Sequence, residues 1–371
     1  MKPIRNKPAP ARGKCAAIVQ KLRAEMLAGK LALRQRLATR TELEKRFAAS
    51  SRTVQKALDR LVADGFVIAD GRRGTFVAKS APHRSAYGLV LPVVPDHPVW
   101  SLYYEAIARS FRLLFPGATE RRLIEYTNAS AVTNLAGYER LLGDVVGHRL
   151  AGLIFAGPGF EFANTPVLTH PGMPRIGQTQ KSMVPGVTVQ PLDGTHYTRL
   201  LLERLQARGR RRVALFVATR EGLFGILGSH LAQLRKQLTD QGIENRDEWV
   251  LPAPVGAPEL AGHAARLLLR LPAAERPDTI VILDDNVVAG VTAGIATSGL
   301  PASKRPDVIA HCNFPAPPPH AVPVTLLGYD MRVFARQAIA CIEAGHAGHP
   351  APAKLPPVPA MLQEDGDVRP Q

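Results

Sequence analysis

The sequence predicts an α/β protein: a small module of three helices and a hairpin, followed by a two-lobed body of doubly wound parallel sheets. The length of 371 residues exceeds one ordinary domain and suits a small module joined to a larger one. Residues 14–79 show a helical pattern that ends in a hairpin pattern. After Tyr87, short apolar runs alternate with helical stretches, which is typical of parallel sheets covered by helices.

Composition limits the class of protein. Apolar residues make up 46% of the chain, enough to fill real cores, yet no apolar run approaches the roughly 18 residues that a membrane helix needs. The first residues, MKPIRNKPAPARGK, lack the apolar stretch of a secretion signal, so we expect a cytoplasmic protein. Cys15, Cys312 and Cys341 are odd in number and far apart, which argues against a disulfide framework or a zinc site.

The net charge indicates a class of partner. A formal charge of +16 favours polyanions, of which nucleic acid is the usual one. A soluble protein from a proteome rich in Arg, Ala and Pro would carry a similar excess without such a partner. Charge alone does not separate these two interpretations, and the motifs must decide.

The pattern divides the chain into five parts. Residues 1–13 combine Pro, Lys and Arg without periodic apolar positions, which is typical of a disordered basic arm. The small module spans 14–79, a short polar linker 80–86, and the two-lobed body 87–364. Residues 365–371 remain as a tail, and the Pro-rich stretch that leads to it is expected to be irregular.

The small module carries its own start and stop signals. The first helix, Cys15–Ala28, ends at Gly29, and the second, Thr41–Ala48, has Thr39 as its predicted N-cap. The third helix, Arg52–Ala63, is expected to bury an aliphatic stripe of Val54, Leu58, Leu61 and Val62. The strands FVIA and TFVA flank the turn DGRRG and predict a hairpin wing.

Two segments of the module, SSRTVQKALDRLVADGFV and GRRGTFVA, resemble the winged helix-turn-helix of the GntR family of bacterial regulators. In such folds the third helix lies in the DNA major groove, and the family's wing approaches the minor groove. The resemblance therefore implies DNA contacts from Arg40, Thr41, Ser50, Ser51, Arg52, Thr53, Gln55, Lys56, Arg72, Arg73 and Gly74.

Two positions depart from the family pattern. Thr41 stands where the family usually has Arg, with Arg40 one position earlier, and Gln55 stands where Arg often follows the Val of the third helix. The operator sequence therefore does not transfer from the family. A three-helix module that binds protein, with a merely solvated basic face, is the alternative interpretation.

Short apolar runs in the body predict buried strands: GLVLPVV, RLIEY, AGLIFAG, RVALFVA, TIVILDD and DVIAH. The predicted helices between and after them are Tyr103–Leu114, Leu135–Val146, Gly194–Ala207, Leu227–Gln241, Leu260–Leu271, Val287–Ser298 and Arg332–Ala344. With PRIGQ, RGRRRVALFVA, ILDDNVVAGVTAGIATSGL and VTLLGYDMRVFARQAIACIEAG, this order resembles the effector-binding domain of the LacI family, itself similar to periplasmic sugar-binding proteins. The resemblance implies two lobes that close on a ligand, with Gly290 packed behind Asp285.

Loops that follow the strands supply the candidate ligand contacts, because open α/β sheets bind ligands beyond the carboxyl ends of their strands. These candidates are Asp96, His97, Trp100, Tyr103, Phe160, Arg220, Phe224 and Asp285. Aromatic faces suit a sugar ring or a base, while Asp and Arg fix hydroxyls or anions. Trp100 and Tyr103 equally fit a core or a dimer interface, and Asp285 equally fits a helix cap. After DVIAH the LacI family has Gly-Phe-Asp, whereas this chain has Cys312-Asn313-Phe314.

Three functional hypotheses remain open. The leading one is a homodimeric, ligand-responsive DNA-binding regulator, expected to be a repressor, which senses a small molecule such as a carbohydrate and needs no cofactor or metal. The others are a DNA-binding protein whose body is only a dimerisation scaffold, and a solute-binding protein. Enzyme chemistry is disfavoured, since the sequence lacks a phosphate-cradling glycine loop and a nucleophile elbow. His346 and His349 lie in a Gly/Pro stretch, without the one-face spacing of a zinc pair.

Overall fold

The computed structural model describes residues 13–95, 97, 100–117, 120–179, 184–219 and 224–363, with backbone only at 224–229. These residues form a small amino-terminal domain (residues 14–77) and two α/β lobes, each built on its own sheet. No helix among them is long and apolar enough to cross a membrane.

The small domain has the predicted order of elements. Helices α1 (Lys14–Leu27), α2 (Arg40–Phe47) and α3 (Ser51–Ala63) precede strands β1 (Val67–Ala69) and β2 (Thr75–Val77). Thr39 caps α2 in a capping box with Glu42, as the local sequence predicts. The predicted stripe of α3 is wrong for Val62, whose side chain is 41% exposed, because Ala57 instead completes the buried face.

The segment predicted as a polar linker is largely buried and packs against the small domain, and we call residues 80–85 the buried seat. Residues 82–85 form a helical turn, α4 (Pro82–Ser85), and Ala81, His83 and Ser85 are buried. The Ser85 hydroxyl donates to the Ser80 and Ala81 carbonyls, and the His83 ring stacks on Phe66 of the small domain at 5.5 Å. The polar side chains of His83 and Ser85 therefore make local packing contacts and hydrogen bonds instead of facing solvent.

Lobe 1 is built on a five-stranded parallel sheet in the order β4-β3-β5-β6-β7. Its elements are β3 (Ala86–Leu91), α5 (Leu102–Leu114), β4 (Arg122–Thr127), α6 (Leu135–Val146), β5 (Gly152–Phe155), α7 (Pro166–Thr169), β6 (Arg175–Gln178) and β7 (Thr188–Gln190). Helices cover both faces, so the strands read as nearly continuous apolar runs. One face packs against α5, and the other against α6 and α7.

Lobe 2 is built on a six-stranded sheet in the order β9-β8-β10-β11-β12-β13, of which only the edge strand β13 is antiparallel. Its elements are α8 (Gly194–Ala207), β8 (Val213–Thr219), α9 (Phe224–Asp240), β9 (Val250–Pro254), α10 (Pro258–Leu269), β10 (Thr279–Ile282), α11 (Val288–Ala296), β11 (Asp307–Phe314), β12 (Thr325–Asp330) and β13 (Ala360–Gln363). Helices α10 and α11 cover one face, and α8 and α9 the other. Both lobes are therefore doubly wound.

The chain passes between the lobes three times. It leaves lobe 1 after β7, and it returns after β12 as α12 (Met331–His346), whose Phe334 packs edge-on against Phe111 of α5 at 5.6 Å. Residues 347–359 then lead back to β13 in lobe 2. At the crossing, the Gln190 side chain donates to the Gln337 side chain at 2.6 Å and to the Pro356 carbonyl at 2.5 Å, which ties the three passages together.

The Pro-rich stretch after α12 is more ordered than the sequence suggests. The Val189 amide donates to Ala353 O at 3.1 Å, and the Leu355 amide donates to Val189 O at 2.8 Å, so this stretch extends the edge of the lobe 1 sheet. The prolines cannot donate hydrogen bonds, but Leu355 and Val358 lie between them and donate instead. The prediction of an irregular segment is therefore wrong for residues 360–363, which form β13, whereas residues 353–359 make two isolated bridges to lobe 1.

Helices α10 and α11 touch backbone to backbone. A Cβ atom on Gly290 would lie 2.1 Å from the Pro258 carbonyl oxygen, and one on Gly294 would lie 2.2 Å from that of Gly262. Such distances are far inside van der Waals contact, so glycine is required at both positions. Gly290 thus packs behind the segment that carries Asp285, as expected.

Candidate functional site

The exposed amino end of α3 forms the first candidate site. Ser50 caps the helix: its hydroxyl accepts from the Thr53 amide at 3.3 Å and lies 2.9 Å from the Thr53 hydroxyl. Arg52 and Lys56, one helical turn apart, are both exposed and share one face. Gln55 is also exposed, and its amide donates to Asp59 at 2.8 Å. This end of α3 therefore presents cationic and amide donors to solvent.

Two further elements extend this surface. Arg40 opens α2 with its side chain 57% exposed and lies 3.8 Å from Glu44, an i,i+4 ion pair, and Thr41 beside it is exposed. In the wing, Arg72 and Arg73 are exposed on a single 3₁₀ turn between the two strands.

Gly74 serves the wing itself. Its φ of 109° is one that side-chain-bearing residues rarely adopt, and a Cβ there would lie 2.9 Å from the Nε atom of Arg36. Arg36 belongs to residues 34–37, which run beside β2 with the Leu37 amide donating to Thr75 O at 2.8 Å. Gly74 therefore gives the wing its turn conformation and leaves room for the Arg36 side chain beside it.

Charge is concentrated on the small domain. Residues 14–77 contain 14 Lys and Arg against six Asp and Glu, a formal charge of +8. About a sixth of the chain thus carries half of its net charge of +16. This distribution is the electrostatic footprint expected of a nucleic-acid-binding surface.

An ion-pair network joins the small domain to lobe 1. Asp64, at the carboxyl end of α3, forms a hydrogen-bonded ion pair with Arg23 of α1 and accepts from Arg149 of lobe 1 at 3.2 Å. Arg149 also donates to Asp144 at 2.6 Å, and Asp144 accepts from the Tyr126 hydroxyl at 2.6 Å. We call these five side chains the junction. Burial lowers the pKa of Arg23, and the Asp64 carboxylate supplies its countercharge.

A cavity of about 260 Å³ between the lobes forms the second candidate site. Lobe 1 contributes Ser101, Tyr103 and Tyr104 from the start of α5. Lobe 2 contributes Asp284, Asp285 and Asn286 after β10, and His311 and Asn313 from β11. These positions lie beyond or at the carboxyl ends of β3, β10 and β11, next to the point in each sheet where the strand order reverses, where α/β proteins bind ligands. We call this cavity the cleft.

The two adjacent carboxylates of the cleft have different tasks. Asp284 caps the turn that follows β10, accepting from the Asn286 amide at 2.9 Å. Asp285 is 2% exposed, and its two oxygens accept from the side chains of Asn286 at 2.9 Å and Asn313 at 2.8 Å. Burial raises the pKa of Asp285. The capping role considered for Asp285 thus belongs to Asp284, and Asp285 is the buried acceptor of the cleft.

A hydrogen bond between the described residues crosses the cleft. The Leu102 backbone amide at the start of α5 donates to the Asn286 side-chain oxygen at 3.0 Å. Beside it, the Tyr103 hydroxyl donates to Gln178 at the end of β6. Asn286 therefore connects the carboxylates of lobe 2 to the amino end of α5 in lobe 1.

Three aromatic rings lie next to the acidic side of the cleft. Tyr197 of α8 and Tyr329 of β12 stack at 5.7 Å, and His311 of β11 lies 5.7 Å from Tyr197 and 6.0 Å from Tyr329. Burial raises the pKa of both tyrosines, so their hydroxyls stay protonated near neutral pH. Of the three rings, His311 lines the cleft, and the two tyrosines pack against it.

The family model for bacterial regulatory proteins of the gntR family matches residues 14–77. Residues 14–77 are a GntR-type domain. The comparison with curated proteins found no match.

Solved structures resemble the two-lobed body. A LacI family transcriptional regulator from Lactobacillus casei with bound sucrose is 17% identical, covers 75% of this chain and 98% of its own, and has a TM-score of 0.51. The cellobiose complex of the transcriptional regulator CelR is 18% identical, covers 85% and 90%, and has a TM-score of 0.53. A LacI family regulatory protein from Chloroflexus aggregans is 17% identical, covers 75% and 96%, and has a TM-score of 0.53. The predicted fold is thereby confirmed.

The GntR-type domain brings the predicted DNA-contact residues to its exposed helix-turn-helix and wing, apart from the partly buried Thr53 and Gly74. In the body, Tyr103 and Asp285 line the cleft, whereas Trp100 packs on Tyr104 at 5.8 Å against the lobe 1 core. His97 is exposed and Phe160 is 48% exposed, and neither lines the cleft. Asp96 and Arg220 lie outside the described residues, as does the side chain of Phe224.

Sequence reasoning missed the residues that organise the cleft and the junction. Asn286 and Asn313 follow or end predicted strands, and this position could have identified them as cleft residues. The sequence argument selected charged and aromatic side chains at such positions and left the amides out. The contact of Asp64 with Arg149 joins positions 85 residues apart, and no local pattern announces it.

Proposed function

We propose that this protein is a transcriptional regulator whose GntR-type domain binds operator DNA and whose two-lobed body binds a small-molecule effector. The observation that carries the proposal is the exposed amino end of α3, with Arg52, Gln55 and Lys56, flanked by the arginines of the wing. A single chain thus combines an exposed basic surface with a cleft large enough to hold a small molecule.

DNA recognition by α3 follows from the chemistry of its exposed side chains. Arg52 can donate two hydrogen bonds to guanine, and Gln55 can pair with adenine once it leaves Asp59. Lys56 and Ser51 suit phosphate oxygens, which fix position without reading sequence. Arg72 and Arg73 on the wing reach towards the neighbouring minor groove, which attracts arginine where it is narrow.

The regulator acts in this proposal as a cytoplasmic homodimer, because two copies would place one GntR-type domain on each half-site of a palindromic operator. The buried seat and the junction hold each GntR-type domain against lobe 1. A change in the angle between lobes would therefore change the separation of the two domains. Such a device suits a repressor that an effector releases, provided that the effector binds the two states with different affinity. This role requires no catalytic step, cofactor or metal.

The cleft favours a neutral, polyhydroxylated effector such as a carbohydrate. Its walls present two carboxylates, two amides, tyrosine hydroxyls and a histidine, which together accept and donate hydrogen bonds, while nearby aromatic rings offer flat faces. The sucrose and cellobiose of the similar structures support this ligand class.

A dimerisation scaffold without effector is the second candidate function. It is favoured by the internal satisfaction of the cleft: both oxygens of Asp285 and the side-chain oxygen of Asn286 already have partners within the chain. Thermal-shift screening with sucrose, cellobiose and glucose separates the two candidates. An effector raises the melting temperature, and the shift grows with the logarithm of its concentration above the Kd, whereas a scaffold responds to none of the three.

The DNA-binding proposal is tested by fluorescence anisotropy on duplexes from upstream of the protein's own gene. Arg52→Ala is expected to weaken specific binding by about 1–3 kcal/mol, which is the cost of one lost bidentate contact. Arg199→Ala is the matched control, since Arg199 is exposed on α8 and pairs with Glu203 at 2.8 Å. If the intact protein has no salt-sensitive affinity for any duplex, the proposal fails.

A further inference from the structure

Most of the polar side chains that line the cleft are already paired within the chain. Asp285 accepts from the side chains of Asn286 and Asn313, and the Tyr103 hydroxyl donates to Gln178. An effector that bound to these groups would first have to displace their internal hydrogen bonds, and such an exchange adds little net free energy. A side chain whose hydrogen-bonding atoms are unused is therefore a better candidate for recognising the effector.

His311 is such a side chain. It lines the cleft from β11 and is only partly buried. Its ring nitrogens have no hydrogen-bond partner among the residues that the structure describes. A neutral imidazole carries one donor and one acceptor nitrogen. His311 thus retains a donor and an acceptor that no described residue uses.

Two tyrosines hold the imidazole in place. The ring centroid of Tyr197 lies 5.7 Å from that of His311, and the ring centroid of Tyr329 lies 6.0 Å from it. The backbone of His311 belongs to β11, which pairs with β10 on one side and β12 on the other. A side chain that is already restricted in this way loses less conformational entropy when a ligand binds.

The charges near His311 limit the kind of group that it can bind. Burial raises the pKa of Asp285, and positive charge on His311 opposes this effect, so the two side chains are electrostatic neighbours. A carboxylate at this place disfavours an anionic ligand. A hydroxyl is neutral and can both donate and accept, as the imidazole can. His311 therefore suits a hydroxyl of a neutral ligand.

We propose that His311 is a specificity-determining residue of the cleft and that it binds a hydroxyl group of the effector. This inference rests on the proposed function, because it requires an effector in the cleft. A half-buried histidine that only water solvates is the neutral explanation. That explanation does not account for an imidazole held by two aromatic rings in the wall of a cleft whose other polar groups are mostly paired.

The test is titration calorimetry of the full chain with glucose, sucrose and cellobiose. His311→Phe keeps an aromatic ring against Tyr197 and Tyr329 but removes both nitrogens. It should raise the Kd of the sugar that binds the wild type most tightly by about tenfold or more, the effect of leaving a ligand hydroxyl without its partner. His311→Asn and His311→Gln restore an amide donor and acceptor, and at least one of them should bind this sugar more tightly than His311→Phe does. The melting temperatures without sugar show that the variants are folded.

His263→Phe is the matched control, because His263 is exposed on α10 and does not belong to the described lining of the cleft. An unchanged Kd in this control, together with a loss in His311→Phe that an amide variant reduces, supports the proposal. If a sugar binds and His311→Phe leaves its Kd unchanged, or neither amide improves on it, the proposal is overturned while the effector function stands. If none of the three sugars binds the wild type, the carbohydrate effector itself is wrong, and the proposal for His311 fails with it.

Discussion

Replacing Asp64 by Asn tests how much the junction stabilises the GntR-type domain. Asp64 is 16% exposed, and its partner Arg23 has a side chain that is 9% exposed. Without the carboxylate, the buried Arg23 guanidinium loses its countercharge, although it keeps its stacking on the Phe66 ring, at 4.8 Å. Leaving one member of a buried pair without its countercharge costs about 3–5 kcal/mol, so we expect Asp64→Asn to destabilise the GntR-type domain by this amount.

Two comparison variants calibrate this expectation. Arg149→Gln removes a partner whose side chain is 30% exposed, and the loss should be nearer 1 kcal/mol because solvent screens the pair. Arg60→Gln removes a 4.0 Å contact with Asp64 from a side chain that is 60% exposed, and the change should stay within about 0.5 kcal/mol.

Hydrogen exchange measured by mass spectrometry reports the effect locally. Peptides from α1 and α3 should lose protection by a factor of 100 or more in Asp64→Asn, which corresponds to about 3 kcal/mol or more. Peptides from lobe 2 should keep theirs. If Asp64→Asn changes protection no more than Arg60→Gln does, the Asp64 carboxylate contributes nothing to the stability of the GntR-type domain, and the reasoning from burial is wrong.

Three further predictions concern pH and packing. Burial lowers the pKa of His83 to about 4, so as the pH falls the imidazole is protonated in the unfolded chain before it is protonated in the folded chain. The stabilisation that the neutral ring contributes above pH 6.5 is therefore lost as the pH falls towards 4. His83→Gln should therefore lose about 2 kcal/mol less than the wild type between pH 7 and pH 5 in urea unfolding; an equal loss contradicts this. Gly290→Ala should destabilise lobe 2 by about 1–3 kcal/mol through overpacking, whereas Gly256→Ala, where a Cβ meets nothing within 4 Å, should have little effect in calorimetry. Asn313→Asp places a second carboxylate against Asp285, and repulsion between the two raises the pKa of the pair. The stability of this variant should therefore improve as the pH falls from 8 to 5. Asn313→Ala removes a hydrogen bond to Asp285 without adding a charge, so its melting temperature should gain less over the same range, and equal pH profiles for the two variants would exclude carboxylate repulsion.

The elements predicted best from the sequence are those whose boundaries depend on neighbouring residues. The helices Leu135–Val146 and Gly194–Ala207 begin and end where the pattern predicts, because Asn134 and Asp193 cap them from the preceding position. The third helix of the GntR-type domain is predicted to within one residue for the same reason. Local chemistry is sufficient at these places.

Features that depend on distant residues were not predictable in this way. Strand β13 pairs with β12 although the whole of α12 lies between them in the sequence. No periodicity in a Pro-rich stretch predicts such a partner. The cleft shows the same limit, since Asp285 and Asn313 are 28 positions apart and their contact follows only from the strand order. Tyr103 and Asp285 were found because they follow strands, whereas Phe160 follows a strand and yet does not line the cleft.

The route of the chain through the lobes sets an order of events during synthesis. Helix α12 completes lobe 1, and strand β13 completes lobe 2, so lobe 1 is incomplete until His346 and lobe 2 until Gln363 has been synthesised. The GntR-type domain needs only its own residues for its core and is complete after about a fifth of the chain. For most of translation, a nascent chain would therefore display a finished GntR-type domain tethered to a body whose two lobes are still incomplete.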